Sequence, residues 1–139
     1  MSQPRVSRPP LNATLLRTAL DQAIDAVVIT DVTGRIVYAN AAIEQHVGQS
    51  AADLVGRHFI DALPPGDDAR SYAPVSEALS EGRGWSGSRV LRTADGLHVR
   101  VDVVVSPVRD RSGTVTHVLS IARTPRERSS EPDERESTA

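Results

Sequence analysis

The chain has 139 residues, a length that suits one domain of ordinary size. Its 39% hydrophobic and 24% charged residues indicate a globular fold, and its net charge of −2 excludes a strongly basic nucleic-acid-binding surface. It contains no cysteine, which excludes disulfides, thiolate metal ligands and cysteine-linked chromophores. The sequence has neither a ~20-residue apolar run nor an apolar signal core. We therefore expect a cytoplasmic protein that does not contact a membrane.

The N-terminal region predicts a flexible arm followed by an amphipathic helix. Residues 1–11 contain several prolines and arginines and should be flexible. A helix capped by Asn12 or Thr14 should run to about Ile24 within a flanking segment, residues 12–25. Its apolar residues recur four apart in adjacent pairs: Leu15, Leu16, Ala19, Leu20, Ala23 and Ile24. This stripe must be covered, either by the domain's own sheet or by a second subunit.

A strand, a tight turn and a second strand are predicted next. The β-branched run 27–29 favours a buried strand. Asp31 can bond nearby backbone N–H groups and Gly34 tolerates positive φ, so these two residues favour a turn before the strand resumes at 36–38. Asn40 can cap the helix that follows.

Residues 41–81 predict several short helices. One should end at Gly48, and another should begin after Ser50 and end at Gly56. A longer helix is expected over residues 68–81. Pro74 lies inside it, so the helix should either bend there or begin later, near Ser71.

The second half of the chain predicts three strands, at residues 85–92, 97–108 and 114–122, separated by glycine-containing turns. The last strand is apolar on both faces, which places it centrally in the sheet or beneath the N-terminal helix. Turns this short do not permit parallel crossovers. The predicted fold class is therefore α+β, an antiparallel sheet with helices grouped on one face. After a domain spanning 26–124, residues 125–139 lack large apolar side chains and should be disordered.

Several of these segments resemble the PAS domain family, which opens with the pattern D-x-x-G-x-I-x-x-x-N-x-A. Residues 31–42 carry that pattern, 48–57 resemble G-x-x-x-x-E-L-x-G-R, and 81–85, 95–96, 101–107 and 110–113 match later segments. The resemblance covers about residues 14–126. It implies a five-stranded antiparallel sheet with short helices on one face and an N-terminal flanking helix.

The resemblance also implies a function in signal transduction rather than catalysis. Such a module binds a small ligand in the sheet pocket, or dimerises, to regulate a partner protein. Two alternatives remain open: a ligand-free interaction scaffold, and an isolated input domain of a sensor histidine kinase or transcription regulator. Pro125 disfavours a helical continuation into an output segment. If the chain is complete, we expect its output to pass through association with another protein.

In this family the pocket lies between the concave face of the sheet and the helices. By position, the resemblance implies these ligand-binding residues: Phe59, Leu63, Tyr72, Val75, Leu91, Val101, Val103, Ser120 and Ala122, with Leu79 beside them. Most are aliphatic, so they could equally fill the core, and a small apolar ligand is the occupant they suit. Arg89 is a further polar candidate, but its strand does not alternate cleanly and its direction stays open.

The resemblance disfavours the family's common cofactors. Flavin photochemistry needs a cysteine near residues 57–59, and the flavin-contacting amides correspond here to Leu91, Val101 and Ala122. The axial histidine of haem-binding relatives is absent from the helix before Gly82. His58 suits the surface of a helix start better than a haem ligand. We therefore expect neither haem nor flavin, and no metal ion or catalytic motif.

The N-terminal stripe predicts a dimer interface. The resemblance implies that Leu16, Leu20 and Ile24 pack on the outer sheet face at Val115, Leu119 and Ile121. Burial of each leucine contributes ~1.5–3 kcal/mol, so a few such contacts would hold two subunits together. Packing within one chain would bury the same atoms. The expected partners are a second copy of the chain and a signalling protein.

Overall fold

The computed structural model describes residues 11–62, 72–92 and 96–123, and the side chains of 91 and 92 lie outside the described part. Four α-helices occur there: α1 (Ala13–Asp21), α2 (Glu44–Val47), α3 (Ala51–Leu54) and α4 (Ala73–Ser80). Short 3₁₀ turns at Ala41–Ile43 and Phe59–Ala62 accompany them. None of the helices within these ranges has the length and apolar character needed to cross a lipid bilayer.

Helix α1 begins as predicted and ends earlier than predicted. Asn12 Oδ1 accepts a hydrogen bond from Leu15 N at 2.9 Å, which confirms Asn12 as the N-cap. The prediction that the helix continues to Ile24 is wrong. Asn40 Nδ2 donates to the carbonyl oxygens of Leu20 and Asp25, each at 2.9 Å, and thereby holds the chain as it leaves the helix and enters the first strand.

Helix α4 begins at Ala73, so the later of the two predicted starts is the nearer one. Pro74 lies in its first turn, where a missing N–H costs no intrahelical bond. The predicted start near Ser71 lies outside the described part of the chain, with the rest of residues 63–71. So do residues 1–10 of the expected arm and the expected tail.

The five strands form one antiparallel sheet in the order β2-β1-β5-β4-β3, which confirms the predicted fold class. They are β1 (Ala26–Asp31), β2 (Ile36–Ala39), β3 (Trp85–Arg92), β4 (His98–Arg109) and β5 (Val115–Arg123). The last strand is central, as its two apolar faces predict. We call the sheet face that carries the helices the inner face and the opposite one the outer face.

Two bulges change which side chains reach each face. Thr30 pairs with Ile36 while Ile29 pairs with Tyr38, so β2 contains one extra residue and Tyr38 joins the outer face. In the same way, β5 contains an extra residue between Val115 and His117, opposite the Val108–Arg109 step. That second bulge moves Val115 to the inner face.

Asn40 joins α1, β1 and β2. The expected capping bond from its side chain to the following helical turn is not made. Instead, Asn40 Oδ1 accepts from Val27 N at 2.9 Å, while its Nδ2 donates to the carbonyl of Leu20 at the end of α1 and to that of Asp25 just before β1. The residue is 1% exposed. A buried amide with bonds on both its oxygen and its nitrogen fixes three chain segments at one point.

The core lies between the inner face and the short helices. Its fully buried cluster contains Ala26, Ile36, Ala39, Ile43, Leu54 and Ala62. Three of these residues come from the first two strands and three from the helical segments. This cluster lies on the β1–β2 side of the inner face, and four of its members also line the cavity described next: Ile36, Ile43, Leu54 and Ala62.

Candidate ligand-binding site

A cavity of about 640 Å³ lies between the inner face of the sheet and the helices. Strands β1, β5 and β4 supply most of its wall, and these residues are nearly all small or aliphatic: Val28, Val103, Val105, Val118, Ser120 and Ala122. The volume falls in the range of small-molecule sites, which are largely apolar with a few polar groups that orient the ligand.

The cavity brings together most of the residues predicted for the pocket. Phe59, Tyr72, Val75, Leu79, Val103, Ser120 and Ala122 line it. Their placement agrees with the family resemblance, and their contact with a ligand stays a prediction. Leu63 and the side chain of Leu91 lie outside the described part of the chain.

Val101 differs from its predicted position on the pocket wall. It lies two residues before Val103 on β4 and faces inward as Val103 does. However, it is 0% exposed and does not line the cavity. Other side chains therefore separate it from the open space. Val101 contributes to the core rather than to the site.

Arg89 points toward the cavity, which settles the direction that its strand pattern left open. Arg89 pairs with inward-facing Val101 and Gly87 with Val103, so the partner strand shows which residues of β3 face inward. The guanidinium carbon of Arg89 lies 3.9 Å from the centre of the Tyr72 ring, a close cation–π contact. Tyr72 also meets Phe59 edge-on, with ring centres 5.8 Å apart.

His46 is a wall residue that sequence reasoning did not select. It lies on α2, is buried and faces the cavity. Burial disfavours the charged imidazolium and lowers the pKa of His46 from its usual value of 6.5. The short α2 helix gave too little periodicity for the sequence to show which of its residues faces inward.

Because its folded-state pKa is depressed, His46 should make the fold less stable in acid. Below about pH 6.5 the unfolded chain binds a proton that the folded chain resists, so the free energy of unfolding falls as pH decreases toward the folded-state pKa. We expect a slope of up to about 1.4 kcal/mol per pH unit from this residue.

Urea denaturation between pH 5 and 8 measures this slope. The His46→Asn variant should lose this contribution, and a variant slope equal to wild type would contradict the prediction. His98→Asn, at an exposed position on β4, is the matched control.

The residues predicted for a dimer interface differ in exposure: two are on open surface and the others are half-buried. Helix α1 buries none of its residues; Leu16 is 48% exposed and Ile24 is 92% exposed, while Leu20 is half-buried. Leu119 and Ile121 are half-buried and alternate with the cavity-lining residues of β5, so they face outward as predicted. The structure therefore does not show the single-chain packing in which α1 covers these two strand residues.

Val115 is a correction to the predicted interface. The bulge in β5 turns its side chain inward, where it lines the cavity together with Val118. The sequence alternation gave the opposite face because one extra residue reverses the parity of a strand.

A few polar contacts attach α1 to the sheet. Tyr38 Oη donates to Asp21 Oδ1 at 2.5 Å, and the guanidinium carbon of Arg17 lies 5.5 Å from the centre of the Tyr38 ring. Burial, together with the adjacent Asp21 carboxylate, raises the pKa of Tyr38 to about 12. Tyr38 therefore stays protonated and keeps its donated bond throughout the neutral pH range.

Comparison with known proteins places this geometry in a family. A family model described as the PAS fold matches residues 14–125. The nitrogen fixation regulatory protein of Klebsiella oxytoca is 28% identical over 109 residues, 78% of this chain and 22% of that protein. The human high affinity cAMP-specific and IBMX-insensitive 3',5'-cyclic phosphodiesterase 8A is 27% identical over 106 residues, 76% of this chain. This chain thus spans less than a quarter of the length of both curated relatives.

Two solved structures share the whole architecture. The PAS domain of a Colwellia psychrerythraea protein superposes with a TM-score of 0.68 at 25% identity, covering 80% of this chain and 94% of that chain. An RNA-binding light-oxygen-voltage receptor superposes with a TM-score of 0.72 at 26% identity, covering 97% of this chain and 41% of that chain. Together with the family model, which matches most of the sequence, these likenesses show that the chain belongs to the PAS family of sensory signalling domains.

Proposed function

We propose that the chain is a cytoplasmic, homodimeric signalling module that binds a small apolar molecule in its cavity and thereby changes how a partner protein is regulated. The 640 Å³ cavity is the observation that carries this proposal, because a scaffold whose core is filled by its own side chains would have no such space. The similarity to a nitrogen fixation regulatory protein supports a role in signalling.

The contacts around α1 offer a route from the cavity to the flanking helix. Val28 of β1 and Ser120 of β5 lie opposite each other in the sheet, and both line the cavity. Along β1, the next residue toward the helix is Val27, whose N–H is held by Asn40. A ligand that spreads or tightens these strands would shift the point to which α1 is attached.

The composition of the wall supports an apolar ligand rather than flavin or haem. Ala122 presents a methyl group to the cavity and Val101 is enclosed by the core, at two positions where flavin-binding relatives place amide side chains. The chain has no cysteine for flavin photochemistry. Within the described residues, no group of three histidine, cysteine or acidic side chains has a metal-binding arrangement.

Native mass spectrometry of freshly purified protein tests the ligand proposal. We expect a bound mass of a few hundred daltons and an absorbance spectrum without a haem or flavin band. A chromophore band would contradict the choice of ligand. A ligand-free mass, combined with no thermal stabilisation by any compound of an apolar small-molecule library, would contradict the proposal itself.

The exposed stripe on α1 supports the homodimer. Leu15 and Leu16 are exposed on the helix and Ile24 is almost fully exposed just after it, and Val104 on the outer face of the sheet is exposed as well. An apolar surface of this kind is typical of protein interfaces. A two-fold arrangement would let the stripe of one subunit cover the outer face of the other.

Charge substitution on α1 tests the dimer. Leu16→Asp should convert the dimer into monomers with little change in thermal stability, because Leu16 contributes little burial within one chain. Light scattering coupled to size-exclusion chromatography measures the mass over a range of concentrations. Thr18→Asp adds the same charge on the opposite side of the helix and should leave the dimer intact. A monomeric wild-type protein, or a dimer that survives Leu16→Asp, would overturn this part of the proposal.

A further inference from the structure

We infer that the ligand is an aliphatic monocarboxylate whose carboxylate binds Arg89 and whose hydrocarbon chain occupies the apolar part of the cavity. This inference rests on the proposed ligand-binding function and specifies its chemical class. It follows from the placement of charge along a cavity wall that is otherwise almost entirely small or aliphatic.

Of the cavity-lining residues that the structure describes, Arg89 is the one with a permanently cationic side chain. Strand β3 directs it inward, and its Nε atom is buried. Contact with the Tyr72 ring at 3.9 Å orients the guanidinium. A guanidinium has five N–H donors in one plane, so it can bind a carboxylate in addition to the contacts it makes with the protein. Arginine paired with a carboxylate, often through two parallel hydrogen bonds, is among the strongest polar interactions in a low-dielectric site.

Among the described residues that line the cavity, the acidic one, Asp31, lies at the other end. In the sheet, Thr30 of β1 is paired with Val118 of β5, which is in turn paired with Pro107 of β4. Arg89 of β3 is paired with Val101 of β4. Pro107 lies six positions beyond Val101 on β4, which is about 20 Å along the strand at 3.4 Å per residue. Asp31 follows Thr30 and also lines the cavity, so an acidic residue lies at the end of the cavity opposite to Arg89.

The Asp31 carboxylate is also occupied by its own turn. Its Oδ1 accepts from Thr33 N at 2.9 Å, from Thr33 Oγ1 at 2.6 Å and from Arg35 N at 3.0 Å. The hydrogen bond from the Thr33 hydroxyl, followed by those from the backbone, lowers the pKa of Asp31 and keeps it ionised. An anionic ligand head is attracted at the Arg89 end, and the acidic residue at the Asp31 end, although open to solvent, favours the same direction of binding.

The middle of the cavity suits a hydrocarbon chain. Between the two charged ends, the inward positions of β5 and β4 carry two pairs of small or aliphatic residues: Ala122 with Val103, and Ser120 with Val105. At roughly 30 Å³ per non-hydrogen atom, the volume accepts a ligand of up to about 20 such atoms. A linear carboxylate of eight to twelve carbons fits within this limit and reaches from Arg89 along the aliphatic wall.

The test compares octanoate with 1-octanol, which have the same chain length and differ in head-group charge. Isothermal titration calorimetry on the full chain at pH 7.5 should show octanoate binding at least 10-fold more tightly than octanol. Affinity should rise about fourfold with each added methylene from hexanoate through octanoate to decanoate, the factor expected for burial of each group. Arg89→Gln should weaken octanoate at least 10-fold and octanol less than twofold, and Arg89→Lys should fall between Arg89→Gln and wild type.

Arg83→Gln removes an exposed arginine just before β3 and should leave both affinities unchanged. Circular dichroism of each variant establishes that it folds. Equal affinity of wild type for octanoate and octanol, or equal weakening of both by Arg89→Gln, would overturn the carboxylate inference while leaving an apolar binding site in place. If neither compound binds and native mass spectrometry finds no ligand, the proposed ligand-binding function fails as well, and this inference fails with it.

Discussion

Replacing Asn40 with alanine should lower the free energy of unfolding by about 3 kcal/mol, because it leaves the buried Val27 N–H without its acceptor and removes the donor shared by two carbonyls. In a domain of this size the expected loss in Tm is about 15 °C, at roughly 4–8 °C per kcal/mol. Thermal and urea denaturation followed by circular dichroism measure both quantities.

Asn12→Ala is the matched control for this prediction. It removes the same side chain at an exposed N-cap with one hydrogen bond, where the expected cost is about 1 kcal/mol. If Asn40→Ala costs no more than Asn12→Ala, then the buried amide does not hold α1, β1 and β2 together. The proposed route from the cavity to the flanking helix would then lose its structural basis.

Replacing Ser120 with phenylalanine should abolish ligand binding with little loss of stability. Ser120 faces the cavity from the centre of β5, between Val28 and Val105. A phenyl group there would fill part of the space that the hydrocarbon chain requires, and phenylalanine is well tolerated in strands. We expect at least a 100-fold loss of affinity for octanoate and octanol alike, measured by calorimetry.

The control for Ser120→Phe is Ser86→Phe, which places the same ring on the exposed outer face of β3 and should bind both compounds as wild type does. Retained affinity in Ser120→Phe would show that the ligand site lies elsewhere. Loss of the folded state would show as a lost circular dichroism signal. In that case Ala122→Leu, a smaller intrusion into the same cavity, should still reduce affinity for both compounds.

Local pattern was sufficient to predict the sheet. The alternation in β4 and the two apolar faces of β5 depend on the two-residue repeat of a strand, so they gave β5 a covered position, central or beneath the N-terminal helix, and the structure has it at the centre. The helix end at Gly48 and the helix cap at Ser50 were also predicted correctly, because they too depend on local residue types. Gly48 takes φ 75°, and Ser50 accepts from Asp53 N at 3.1 Å.

The errors arose where non-local pairing decides the outcome. The bulge that turns Val115 inward is opposite a particular step of β4, and no residue within β5 signals it. Arg89 was undecided because the apolar residues of β3, Trp85, Val90 and Leu91, do not follow a two-residue alternation; its pairing with Val101 decides its direction. Asn40 has the residue type of a helix cap, but folding brings three better partners to it.

The salt bridge between Asp25 and Arg123, at 3.1 Å, lies where the first strand starts and the last strand stops. Ala26 is directly opposite Ala122, so the two ends of the domain are neighbours in the central sheet. Any protein segment joined to either end would therefore leave from the same corner. A domain with this geometry can be spliced into a longer polypeptide without forcing its flanks apart, and a disturbance at that corner would reach both flanks together.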